Sequence, residues 1–160
     1  METKGLKEGD KAPDFTADAV GITTGRISLA DFRGKTVVLY FYPKDDTPGC
    51  TTEACEFRDS EQALIDRGVV VLGVSKDSAT SHEKFRKKFG LNFPLLSDVD
   101  GAICQAYGVI KEKSMYGVKR LGIERSTFVI GPDGFLRKVF RGVKVQGHVT
   151  AVLEAIEKIA

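Results

Sequence analysis

Two unbroken apolar runs dominate the pattern of the chain: "TVVLYFY", Thr36 to Tyr42, and "GVVVLGVS", Gly68 to Ser75. Both are rich in β-branched and aromatic residues and lack the polar alternation of a half-exposed strand, so they predict central parallel strands covered on both faces. Between them apolar residues recur at helical spacing, with Cys50, Ala54, Phe57, Leu64 and Ile65 near one face. Strand, helix and strand then form a right-handed crossover unit. A second helix, about Ala79 to Phe89, leads to a short strand at "FPLLSD", and a brief helix follows at "GAICQAYGV". The segment "RSTFVIGPDGFLRKVFRG" predicts two strands around a Gly131-Pro132-Asp133-Gly134 turn, and "HVTAVLEAIEKIA" an amphipathic closing helix. Roughly the first forty residues, with short alternating runs such as "DFTADAV" and "GRISLADF", predict an added hairpin.

Crossover units, an antiparallel pair and a C-terminal helix describe an α/β fold of the thioredoxin-like kind: a central mixed sheet flanked by helices, with an N-terminal β-hairpin extension. A chain of 160 residues suits one core, and it shows no repeat, low-complexity tract or linker, so residues 1–160 are expected to form a single domain.

Charge narrows the partners. The 24 Lys and Arg and 22 Asp and Glu are mixed along the chain, with no basic stripe for nucleic acid or a membrane surface. No apolar run approaches the ~20 residues of a bilayer span, and the start "METKGLKEGD" lacks a signal peptide's apolar stretch. A soluble, cytoplasmic protein acting on small solutes or proteins is expected. Its three cysteines, Cys50, Cys55 and Cys104, are too few and too odd in number for a disulfide framework. If these thiols matter, they matter by reacting.

Cys50 has the context for that. Thr47 suits an N-cap and Pro48 a first helical position, which puts Cys50 in the first turn, among unpaired backbone N–H groups and the positive end of the dipole. A thiolate is stabilised there, and the thiolate is the nucleophile. The plainer alternative is a small buried hydrophobe on a helix face. Asp45 and Asp46 oppose an anion unless they face solvent.

Cys55 raises a geometric problem. Five residues along a helix give ~7.5 Å of rise and ~140° of rotation, so the two Cα atoms stand nearly ~9 Å apart. A disulfide spans at most about 7 Å between Cα atoms. Any bond between Cys50 and Cys55 therefore requires the first turns to unwind, a change that Gly49, Thr51 and Thr52, weaker helix formers than Ala, make easier by about a kcal/mol in total. The alternative is a helix-face cysteine with no partner.

The stretch "YPKDDTPGCTTEAC" resembles the active-site segment of the peroxiredoxins, in particular the bacterioferritin comigratory protein or peroxiredoxin Q subfamily. The general motif, Pro, three residues, Thr or Ser, two residues, Cys, is met by Pro43, Thr47 and Cys50, and the subfamily's second cysteine by Cys55. Similarity continues through "GDKAPDF", "GVSKDS", "FPLLSDVDGAICQAYGV" and "ERSTFVIGPDG". The resemblance implies thiol-dependent reduction of hydrogen peroxide and organic hydroperoxides without metal or other cofactor. Cys50 becomes a sulfenic acid, Cys55 condenses with it to a disulfide, and thioredoxin or a similar dithiol protein reduces that disulfide. It also implies that the Arg125 guanidinium steadies the thiolate and the departing oxygen, that the Thr47 hydroxyl orients the peroxide, and that Pro43 shields the thiolate from water. A monomer is expected.

Two rivals share these features. A thiol-disulfide oxidoreductase acting on protein disulfides has the fold, although its cysteines usually stand two residues apart, whereas four separate Cys50 from Cys55. A redox-triggered binding protein needs only one oxidation, exposing the face around Phe57. Cys104 is expected to be a partly buried spare thiol, its sharper alternative being a partner for Cys50 or for a second chain. His82 and His148 are isolated in the sequence and suggest no metal site.

Overall fold

A computed structural model describes residues 6–21 and 25–159. The helix-period segment between the two apolar runs forms α1 (Pro48–Asp66), and the runs themselves form β3 (Thr36–Phe41) and β4 (Val69–Ser75), which pair in parallel with Thr36 opposite Val69. A second crossover, α2 (Ala79–Phe89), returns the chain to β5 (Leu95–Ser97), also parallel to β4. Ser78 caps α2 by accepting from Ser81 N at 3.2 Å, and Gly90 ends it at φ 62°, a left-handed position that suits glycine.

The expected N-terminal hairpin is β1 (Thr16–Val20) and β2 (Arg26–Ser28); its connecting residues 22–24 lie outside the described ones. It is more than an appendage, because β1 pairs antiparallel with β5 and extends the main sheet. After α3 (Ala102–Ala106), β8 (Ser126–Ile130) and β9 (Leu136–Phe140) add two antiparallel strands beside β3. The seven strands run in the order β2-β1-β5-β4-β3-β8-β9, a mixed sheet flanked by helices, the last of which is α4 (His148–Ile159).

Sequence reading assigned no element to residues 110–123, which form β6 (Ile110–Met115) and β7 (Val118–Ile123), a separate antiparallel pair. Its turn residues Tyr116 and Gly117 both have positive φ, 54° and 78°, as a tight two-residue turn requires. Most of β7 is exposed, so the segment carries no apolar face by which to recognise it.

Side chains alternate across β3. Val37, Leu39 and Phe41 enter a core with Phe15, Ile27, Leu96, Tyr107 and Phe128, while Val38, Tyr40 and Tyr42 enter a second with Ala54, Phe57, Phe85, Val152 and Ile156. The second core is where α1 lies against the sheet. Cys50, Ala54, Phe57 and Leu64 are buried on that face as expected, whereas Ile65 is 52% exposed: one residue beyond Leu64, it rotates past the edge of the contact. Phe57 is tilted against Tyr40 with ring centroids 4.7 Å apart, and full burial of such a side chain contributes roughly 1.5–3 kcal/mol.

Candidate active site

The site lies where β3 hands over to α1. Tyr42 to Thr47 make the connecting loop, and Pro48 opens the helix at a position where its missing N–H is no loss. Thr47 occupies the N-cap position with extended backbone, and its carbonyl accepts the first helical bond from Thr51 N at 2.8 Å. Its side chain does not cap the helix. The hydroxyl donates to Lys44 O at 2.9 Å instead, which turns it into the loop. Pro43 is exposed, and Cys50, in the first turn, is 2% exposed.

The loop is held from behind by a buried polar cluster. Asp45 accepts from Tyr42 OH at 2.6 Å and Ser81 Oγ at 2.8 Å, and it faces His82 Nδ1 at 2.7 Å. Its backbone N–H donates to Asp77 at 2.8 Å, and His82 Nε2 donates to Leu96 O at 2.8 Å. Asp45 thus does not face solvent, and its charge is taken up by donors of its own. Asp46 is exposed, takes a left-handed φ of 57°, and pairs with Lys88 at 2.8 Å. His82, isolated in the sequence, is brought by the fold beside Asp45 and Asp77, with their ligand-type atoms within 4.8 Å of one another. Those atoms are engaged in hydrogen bonds within the protein, a structural use that ties the loop to α2.

Arg125, just ahead of β8, is the cation of the site. Its Nη2 donates to Cys50 Sγ at 3.3 Å and its Nη1 to Glu53 Oε1 at 2.5 Å. Gly49 leaves room for this approach, since a Cβ there would stand 3.3 Å from Arg125 Nη2 and push it back by a few tenths of an ångström. Burial works against the guanidinium charge, but Glu53 and Cys50 outweigh it, and the Arg125 pKa lies above its ordinary value.

Glu53 and His148 are site residues that sequence reading did not find. Glu53 is fully buried on α1, and burial raises its carboxyl to about 7 against the pull of Arg125. Its Oε2 has no hydrogen-bond partner among the described residues and lies 4.0 Å from His148 Nε2. His148, at the start of α4, shares a 2.7 Å hydrogen bond with Thr127 Oγ1, and burial, then Arg125, lower its pKa to about 4. The spacing of Glu53 was a usable signal: three residues after Cys50, it lies on the same helix face. Nothing local marks His148.

Cys55 is half-buried, and all three thiols are free in this structure, with α1 intact from Pro48 to Asp66. Cys104 corrects the expectation of a marginal thiol. It is 0% exposed, sits in the core on the other side of the sheet from Cys50, and burial raises its pKa far above the ordinary thiol value. The fold brings Arg125 against Cys50, places Thr47 at the N-cap three residues before that thiol, and leaves Cys104 apart. Chemically, a thiol at a helix start with a partly buried cation against it suits attack on a small polar substrate whose leaving atom gains negative charge.

The AhpC/TSA family profile matches residues 8–139. A putative peroxiredoxin bcp of Coxiella burnetii is 51% identical over 149 residues, covering 92% of this chain and 97% of that protein. Peroxiredoxin Bcp of Escherichia coli is 43% identical, with 97% and 98% covered. Among solved structures, a mutant of Xanthomonas campestris peroxiredoxin Q superposes with a TM-score of 0.89 at 45% identity, covering 97% of this chain and 100% of that one. The Xanthomonas campestris bacterioferritin comigratory protein, studied for its alkyl peroxide reduction activity, superposes with a TM-score of 0.85 at 46% identity over 90% of both chains.

Proposed function

This chain belongs to the AhpC/TSA family, among its Bcp and peroxiredoxin Q members, and we infer that it is a thiol-dependent peroxidase that reduces hydroperoxides, with Cys50 as the peroxidatic thiol. The observation that carries the assignment of Cys50 is its contact with Arg125: this partly buried guanidinium donates to that sulfur and to neither of the others.

Cys50 thiolate attacks one peroxide oxygen. An S–O bond forms, the O–O bond breaks, and the departing oxygen takes up a proton to leave as water or an alcohol. Arg125 faces the developing charge, Thr47 orients the peroxide through its hydroxyl, and Pro43 rims the approach. Cys50 sulfenic acid then condenses with the Cys55 thiol, forming the S–S bond and releasing water. That step requires the first turns of α1 to unwind, which frees Cys50 from the core and breaks the Arg125 to Glu53 pair.

A thiol reductant closes the cycle, and a dithiol protein of the thioredoxin kind suits a disulfide exposed on an unwound helix start. Among the described residues no helix is long and apolar enough to cross a membrane. A monomer working in the cytoplasm, where such reductants are kept reduced, completes the reading. The test is hydroperoxide consumption coupled to a dithiol reductant. Wild-type protein turns over, Cys50→Ser loses turnover, and Cys104→Ser keeps it; equal loss in the two variants sinks the assignment of Cys50.

A further inference from the structure

Two potential anions lie against one guanidinium. Arg125 Nη2 donates to Cys50 Sγ and Nη1 to Glu53 Oε1, and the free Glu53 oxygen is sealed in the protein without a hydrogen-bond partner among the described residues. Other groups face that carboxyl, and none among them is a second cation at working pH. His148 on α4 is neutral above about 4, and its Nε2 is engaged by Thr127. Tyr40 on β3 is a buried phenol with its own unpartnered hydroxyl, held neutral by burial and by Glu53 and Cys50. Glu56 on α1 adds a like charge. A thiolate and a carboxylate, both buried and both charged here, would share one partly buried cation, an arrangement that a low dielectric penalises.

We propose that Glu53 is a positioning residue that competes with the Cys50 thiolate for Arg125, so that carboxyl and thiol share one proton: Cys–SH with Glu–COO⁻ exchanges with Cys–S⁻ and Glu–COOH. While Glu53 holds the proton, the guanidinium serves the thiolate and the departing oxygen. When Glu53 loses it, the carboxylate takes up part of that charge. Reactivity toward peroxide then falls as pH rises through neutrality, where a simple thiol becomes more reactive. The unpartnered Oε2 supports the protonated form, since an orphaned buried oxygen is far more tolerable on a neutral carboxyl than on a carboxylate. Burial carries Glu53 to about 7, where such an exchange operates. The rate consequence rests on the peroxidase reading, whereas the proton sharing does not.

The test therefore has two arms. In the first, the infrared carbonyl band of a protonated buried carboxyl is followed across roughly pH 5 to 9, identified by its loss in Glu53→Gln. Wild-type protein loses the band through neutrality, and Cys50→Ala, with its competitor gone, loses it about one pH unit lower, a tenfold change in the equilibrium. A midpoint unmoved by Cys50→Ala, or no such band at all, overturns the proposal. In the second arm, the second-order rate constant with hydrogen peroxide falls severalfold through neutrality in wild-type protein and not in Glu53→Gln, while the rate of Cys50 alkylation does not fall in either. A peroxide profile identical in the two proteins overturns it. Failure of wild-type protein to react with peroxide at any pH defeats the peroxidase reading, and the first arm still decides the proton sharing.

Discussion

Arg125 Nη2 lies 3.3 Å from Cys50 Sγ although 75 residues separate them in the chain. The pairing of β8 with β3 makes it possible. Ser126 stands opposite Phe41 at the end of β3, so the residue before β8 and the loop after β3 reach the same edge of the sheet. Glu53 then fixes the guanidinium from the helix side. Removing the donor leaves the thiol without its cation and the departing oxygen without its hydrogen bond. Arg125→Met is expected to lower the second-order rate constant with hydrogen peroxide by about 10²–10³, the range for loss of one pre-organised donor, with little change in the circular dichroism spectrum.

Gly49 sets the distance. A methyl group at this position would stand 3.3 Å from Arg125 Nη2 and 3.5 Å from Val145 Cγ2, so the guanidinium must shift by a few tenths of an ångström. Gly49→Ala is expected to favour the helix by up to ~1 kcal/mol while slowing the peroxide reaction roughly tenfold. Stability and rate measured on the same preparation separate the two effects; a faster reaction would contradict this account of the glycine.

Glu53 and His148 give stability opposite dependences on pH. Glu53 titrates at about 7 in the folded protein, above its ordinary value, so the folded state holds the extra proton and stability is lost as pH rises from about 4.5 through 7. His148 titrates at about 4, below its ordinary value, so the unfolded state holds the extra proton and stability is lost as pH falls from about 6.5 through 4. Between about 4.5 and 6.5 the two slopes oppose each other. Urea midpoints are expected to show this directly: Glu53→Gln removes the loss on the alkaline side, and His148→Asn exposes a decline with rising pH that wild-type protein masks.

In the proposed cycle Phe57 anchors the part of α1 that stays in place while its start unwinds. It is fully buried against Tyr40, seven residues past Cys50. Phe57→Ala is expected to destabilise the protein by about 3–5 kcal/mol in urea unfolding, the range for loss of a buried aromatic ring. The same substitution at exposed Ile65 is expected to change stability by less than about 0.5 kcal/mol.

The sheet strands β3 and β4 were legible because continuous apolar runs have few other uses, and α2 because its spacing and Gly90 mark its face and its end. Cys50 was legible for the same local reason: Thr47, Pro48 and the helix start lie beside it in the chain. What was not legible depends on distant pairing. Arg125 is one of 24 Lys and Arg residues, and only its place at the head of β8, or a resemblance to relatives, singles it out. His82 and His148 looked isolated because their partners, Asp45 and Thr127, lie 37 and 21 residues away in the chain. The Thr47 hydroxyl turned to Lys44 instead of capping, a choice between two nearby acceptor and donor groups that residue type does not decide. Cys104 was placed at the margin of a short helix whose rotation is set by Asp98, which accepts from Ile103 N and Cys104 N and turns the thiol inward.

In the proposed cycle Cys50 reacts with peroxide and Cys55 resolves it through an unwound helix start. Reduced protein is mixed with equimolar hydrogen peroxide, quenched within seconds by an alkylating agent, and mapped by peptide mass spectrometry. A Cys50–Cys55 disulfide with Cys104 unreacted until the protein is denatured is the predicted result, together with new protease sensitivity confined to the first turns of α1. Three unoxidised cysteines would contradict the peroxidase reading, and a Cys50–Cys104 disulfide would contradict the assignment of Cys55.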